Sequence, residues 1–198
     1  MKGLSFSEPM VKAWMDGRKT VTRRLMNPQP DMDSQGGVYY RKSKNHWAHY
    51  GCLDHFRNHV ADQFSFYLPG ETVYIKEAWW KPPFITDRLL REGADTWPEI
   101  VYDADCDEID REQWKEWEWS KKSPRFMPEW ASRSHALIVS VRPERVQDIT
   151  EDEAEREGLK LLQGGILSAF AILWESLHPG SWERNDWVWR IELKKEGL

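Results

Sequence analysis

The spacing of apolar residues changes repeatedly along this chain, and each change marks an element. Leu4 to Phe6 reads as a short opening strand. Ser7 to Asp16 reads as a helix with Ser7 as N-cap, Pro9 early in the first turn and Gly17 just past the end. Thr20 to Arg24 then alternates in a β-favouring composition, so Thr20, Thr22 and Arg24 share one face of a strand while Val21 and Arg23 take the other. Thr72 to Trp80 is the clearest strand, with Val73, Ile75, Glu77 and Trp79 on one face and Tyr74, Lys76 and Trp80 on the other. Glu77 therefore falls on the apolar side, where a carboxylate must be paired, hydrogen-bonded or cavity-lining, because an isolated buried charge is too costly. Leu137, Val139 and Val141 alternate on a further strand, stopped or bulged near Pro143. Thr150 and Glu153 have capping-box spacing at the start of a helix that Gly158 ends. Ile166, Phe170, Leu173, Trp174 and Leu177 recur at helical spacing, and Trp187, Trp189, Ile191 and Leu193 alternate in a closing strand.

Two long stretches interrupt this order, residues 27–68 and 81–126. The first is rich in Pro, Gly, Ser and His and has no sustained period until a helix predicted from Trp47 to Phe64. The second is predicted to hold a strand at Glu99 to Tyr102 and a polar helix from Asp110 to Ser120 with Trp114 and Trp117 on one edge. Stretches this long are usually functional or mobile. The sum is an α+β chain, a small closed or nearly closed sheet flanked by helices. At 198 residues it is long enough for one well-buried core, and residues 1–198 are read as a single domain.

Composition narrows the class. No apolar run is long enough to span a membrane and the N-terminus lacks a signal-peptide core, so a soluble, cytoplasmic protein without membrane contact is expected. Cys52 and Cys106 are the only cysteines, too few for a disulfide scaffold and suited to a reducing compartment. A net charge of -5 argues against coating long nucleic acid, because that affinity comes from neutralising phosphates. The distribution is uneven: residues 1–50 hold nine Lys/Arg against four Asp/Glu, a local +5, while the rest sums to -10. A compact basic mouth on an acidic body suits a nucleoside, a nucleotide or a short single-stranded RNA end.

Residues 16–24, Asp-Gly-Arg-Lys-Thr-Val-Thr-Arg-Arg, put an amine, two hydroxyls and three guanidiniums behind a glycine turn. With Asn27-Pro28-Gln29-Pro30, Pro69 to Trp79, Met127 to Arg133, Val141 to Glu157 and Trp182 to Leu193, in that order, this stretch resembles the larger bacterial and phage-encoded ASCH proteins. The resemblance implies a PUA-like small β-barrel carrying two insertions, a tie to RNA or modified nucleosides, a bacterial host cytoplasm and no cofactor. Small members of that superfamily are amidohydrolases that remove the acyl group of N4-acetylcytidine. Carried over by position, their catalytic set falls on Lys19, Thr22 and Glu157, the last standing seven residues after Thr150. The small enzymes lack the two insertions, which leaves substrate size open.

Chemistry can be argued from the residues themselves. Amide cleavage needs a nucleophile, a proton acceptor and a donor for the oxyanion and the leaving amine. Thr22 can attack the acyl carbon, Lys19 can take its proton, and Glu157 can orient Lys19 or pass a proton to N4. Lys19 must then lose about 3 pKa units from 10.4. Arg18, Arg23 and Arg24 lower its pKa and a nearby Glu157 raises it; if Glu157 wins, Lys19 is an anchor rather than a base. Arg18, Arg23, Arg24, Glu77 and Trp79 are the expected substrate-binding residues. Trp79, Trp80, Trp97, Trp130, Trp187 and Trp189 are candidate base-stacking positions, although most aromatics at alternating positions pack cores. Alternatives are a non-catalytic reader of RNA or a modified base, and a ribonuclease in which Lys19 and Arg24 steady a phosphorane. His46, His49, Cys52, His55 and His59 offer a further constellation: on a helix, Cys52, His55 and His59 would lie along one side as zinc ligands. The resemblance implies no metal there.

Overall fold

A computed structural model of the chain describes residues 1–83, 100–160 and 164–196. Trp97 and the expected strand start at Glu99 lie outside the described residues. In chain order the elements are β1 (Lys2–Ser5), α1 (Glu8–Met15), β2 (Val21–Leu25), β3 (Asp31–Met32), β4 (Val38–Ser43), β5 (His46–Tyr50) and α2 (Leu53–Phe64). They continue as β6 (Thr72–Lys76), β7 (Trp79–Lys81), β8 (Val101–Tyr102), α3 (Glu108–Glu116), β9 (Ser120–Lys122), β10 (His135–Arg145), α4 (Glu151–Arg156), α5 (Ile166–Leu177) and β11 (Trp187–Lys195). The chain is mixed α+β, and among the described residues no sheet closes into a barrel. In the β3–β4–β5 and β8–β7–β9 sheets the two outer strands pair only with the middle one, which leaves each sheet open.

Contacts divide the chain into two compact units, Met1–Met15 with Val73–His135, and Asp16–Thr72 with Ala136–Leu198. In the first, β1 runs parallel to β6, with Leu4 opposite Ile75, and both residues are buried. The expected strand from Thr72 to Trp80 is split. Its first part pairs with β1, whereas Trp79 and Trp80 belong to β7, which pairs antiparallel with β8 and β9. Trp79 packs on Met127 and Ala131, and Trp80 on Cys106 and Trp119, so the two faces of β7 seed two separate apolar clusters. The polar helix starts and ends earlier than Asp110 to Ser120. Asp107 is its N-cap in a reciprocal capping box with Asp110, and Glu118 at φ +59 breaks the chain direction before β9.

In the second unit β11 is central, antiparallel to β10 on one side and to β2 on the other. Its core gathers Val146, Ile149, Ala154, Ile166, Phe170, Trp174 and Val188, the apolar stripe of α5 being the one expected from its spacing. Strand β10 does not stop at Pro143, which lies opposite Trp189. The register shifts between Ile138 and Ser140 instead, leaving Val139 48% exposed. The helix expected from Trp47 to Phe64 is also corrected. Residues 46–50 form β5, hairpin-paired with β4, and α2 begins only at Leu53 with Cys52 as its N-cap. Extended pairing wins because Tyr40 and Tyr50 bury their rings from alternating positions while Phe56, Val60 and Phe64 form the buried stripe of α2.

Candidate active site

Local geometry brings the basic strand and the late helix together. Gly17 at φ +76 turns the chain out of α1, a conformation that suits glycine. The Thr20 backbone N–H then donates to the Arg156 carbonyl at 2.7 Å, while the Thr20 carbonyl accepts from the Leu193 N–H at 2.8 Å. Thr150 accepts from the Glu153 N–H and starts α4; Gly158 at φ +92 ends it just beyond Glu157. The expected capping box is one-sided, because the Glu153 carboxylate is turned to Arg23, Arg142 and Arg190.

Lys19 is only 2% exposed. Its Nζ donates to the Val21 carbonyl at 2.8 Å, the Glu157 carbonyl at 2.9 Å and Glu157 Oε2 at 2.7 Å. Burial pushes the Lys19 ammonium below its ordinary pKa; the Glu157 carboxylate opposes this without reversing it, and Arg24 and Arg23 add to the lowering. The other Glu157 oxygen, Oε1, accepts from Arg23 Nη1 at 3.1 Å, so one carboxylate bridges the amine and the guanidinium. Arg23 also reaches Glu144 Oε1 from Nε at 2.7 Å and Glu153 Oε2 from Nη2. Arg190 Nε donates to Glu153 Oε1 at 2.7 Å.

Lys19, Arg23 and Arg190 therefore face Glu144, Glu153 and Glu157, three buried cations against three buried carboxylates. Burial raises the Glu144 carboxyl above its ordinary range, with Arg23 only partly offsetting it. Burial also acts to raise Glu153, but Arg23 and Arg190 together outweigh it and hold it below. An open groove of about 800 Å³ adjoins the cluster, lined in part by Arg142, Glu144, Glu153, Arg156, Arg190 and Glu192.

Of the residues singled out from sequence, Lys19 and Glu157 meet directly. Thr22 is buried on β2, opposite Ile191, and its hydroxyl makes no hydrogen bond to either of them. Arg23 belongs to the ion-pair cluster. Arg18 is engaged with Asp16 and the Gly158 carbonyl, and Arg24 is half-buried opposite Trp189. Glu77 and Trp79 belong to the other compact unit. There Glu77 receives a bidentate pair from Arg133, both contacts at 2.9 Å, and burial raises its carboxyl against the opposing pull of Arg133. Arg133 also holds Asp105 and stacks 4.0 Å from the Tyr102 ring centroid. Trp79 is buried, its indole N–H without a partner. Trp80, Trp187 and Trp189 are buried as well, whereas Trp130 is exposed.

The histidine and cysteine constellation is spread over two elements. His49 on β5 stacks on Tyr39 and lies 3.3 Å from Asp33, Cys52 is exposed, and His55 and His59 meet edge to face on α2. Among the described residues no group of three or more His, Cys, Asp or Glu side chains is arranged to hold a metal ion.

Sequence reasoning missed Glu144, Glu153 as an ion-pair partner, Arg190 and Arg133. A signal was present for Arg190, a cation between Trp189 and Ile191 in an apolar strand, which demands a buried partner as Glu77 does. Glu144 carried none, since its burial follows from β10 running on past Pro143.

Comparison with known proteins gives no match among protein-family models, curated proteins or solved structures.

Proposed function

We propose that this chain is an ASCH-type, PUA-like amidohydrolase that removes the acyl group from an N4-acylated cytosine in a nucleoside, a nucleotide or an exposed RNA base. The observation that carries the reading is the convergence of Lys19 and Glu157, far apart in sequence, at 2.7 Å beside the strand that bears Thr22. Burial lowers the pKa of Lys19, the direction a base at neutral pH requires.

In the proposed reaction the Thr22 oxygen attacks the acyl carbon and Lys19, as the free amine, takes the hydroxyl proton. Collapse of the tetrahedral intermediate breaks the C–N bond, and the proton passes to N4 with Glu157 holding the ammonium in line. Water then cleaves the threonine ester, releasing the carboxylic acid and restoring the hydroxyl. Arg23 keeps Glu157 oriented, and the Glu144 and Glu153 carboxylates keep Arg23 in place.

A reader using Arg18, Arg23 and Arg24 for phosphate and an aromatic for the base is less well supported, because the Arg18 and Arg23 guanidiniums are already engaged by protein oxygens. The test is incubation with N4-acetylcytidine followed by chromatography for cytidine. The wild-type protein should release cytidine, and Thr22→Val should lose at least about a hundredfold in kcat with an unchanged melting temperature. Undiminished turnover by Thr22→Val, or no cytidine from the wild type, would remove the proposal.

A further inference from the structure

Cations of the Gly-Arg-Lys-Thr region are engaged by the protein's own carboxylates: Arg18 by Asp16 at the surface, Lys19 by Glu157 and Arg23 by three glutamates in the interior. The opposite holds in the Val73–His135 part of the other compact unit. An open groove of about 610 Å³ lies across β7 and β9, and among the described residues every charged one lining it is a lysine: Lys81, Lys121 and Lys122. Trp79, Ser123 and Phe126 complete the lining. The strand register explains the arrangement. Lys81 lies opposite Ser120 and Trp79 opposite Lys122, so Trp79, Lys81 and Lys122 share one face, with the two lysines in diagonal positions about 7–8 Å apart. Lys121, on the other face, is tied to Asp103 at 2.7 Å. Among the described residues neither Lys81 nor Lys122 has a carboxylate partner. Phe126 stands 68% exposed beside them, an aromatic ring that the fold does not bury.

We propose that this groove binds single-stranded nucleic acid, Lys81 and Lys122 neutralising successive phosphates and Phe126 stacking on a base. An open trough in which Lys81 and Lys122 have no carboxylate partner among the described residues, beside one bare ring, matches the two features of such sites, a cationic track for the backbone and a π-face for the base. A duplex would offer phosphates but no free base face to Phe126. The inference does not depend on amide hydrolysis, so unmodified oligonucleotides test it separately from the proposed activity.

The experiment is fluorescence anisotropy of the full-length protein with end-labelled ten-nucleotide oligo(U) and oligo(dT) across a salt series. The double variant Lys81→Gln/Lys122→Gln should flatten the slope of log K against log salt by about 1.4, two phosphates at about 0.7 each for a single strand. Phe126→Ala should weaken binding about tenfold while leaving that slope unchanged. Lys115→Gln, on the exposed face of α3, is the control and should change neither. Lys81, Lys115 and Phe126 are exposed and Lys122 is half-buried, and melting curves check that each variant folds. Absence of binding by the wild type at low salt would overturn the assignment, as would a slope indifferent to the double variant. Competition by an oligoglutamate peptide as effective as unlabelled oligo(U), with Phe126→Ala without effect, would also overturn it, assigning the groove to an acidic protein.

Discussion

Lys19 has three hydrogen-bond acceptors around one nitrogen, all of them fixed by backbone or by a single glutamate, and its burial disfavours the charge those acceptors hold. The two tendencies make it titratable without letting it move. As a general base it works only when neutral, so activity should rise with pH and level off below the ordinary lysine range near 10.4. Arg24 helps to lower the Lys19 pKa; removing its charge in Arg24→Gln should therefore move the inflection of the pH–rate profile upward. A downward or absent shift would show that another group controls the profile. Arg23 has a different part. It is buried against three carboxylates, and Arg23→Ala takes from Glu144, Glu153 and Glu157 the one cation that touches all three. The expected cost is about 3–5 kcal/mol in urea unfolding. A loss within about 0.5 kcal/mol, the usual range for a surface substitution, would contradict that place in the cluster.

Capped helices were the most legible elements. Ser7 and Gly17 bound α1, and Thr150 and Gly158 bound the turn that delivers Glu157, because caps act on the backbone of their own turn and need no tertiary information. Thr150→Ala should cost about 1 kcal/mol and weaken the hold on Glu157, which a combined unfolding and activity assay reads together. The hairpin of β4 and β5 was illegible for a definite reason. Tyr39, Trp47 and His49 face outward from strands, so apolar and polar residues do not alternate, and the histidine spacing mimics a helical period. The break between β6 and β7 was hidden in a similar way. No turn-forming residue interrupts Val73 to Trp80, while the partners change from β1 to β8 and β9.

Across the whole chain, the basic excess of residues 1–50 was visible in the sequence, but its use was not. Charge counts cannot tell a cation spent on a buried carboxylate from one left for a ligand, and here Lys19 and Arg23 are spent. With a net charge of -5, the protein should not retain duplex DNA in a gel-shift at about 0.15 M salt. The pairing of Lys19 with Glu157 was read from a resemblance, and the fold holds those side chains in contact; the buried cluster of six that includes them had no counterpart in that reading.

The proposed hydrolysis requires Thr22 to become acylated. Acid-quenching the enzyme in the first turnover with N4-acetylcytidine, followed by peptide mass spectrometry, measures this directly. One acetyl group should appear on the peptide that contains Thr22, be lost on longer incubation and be absent from Thr22→Val. Cytidine released in step with an acetyl group on a different residue, or with no acylated peptide at any time, would contradict it.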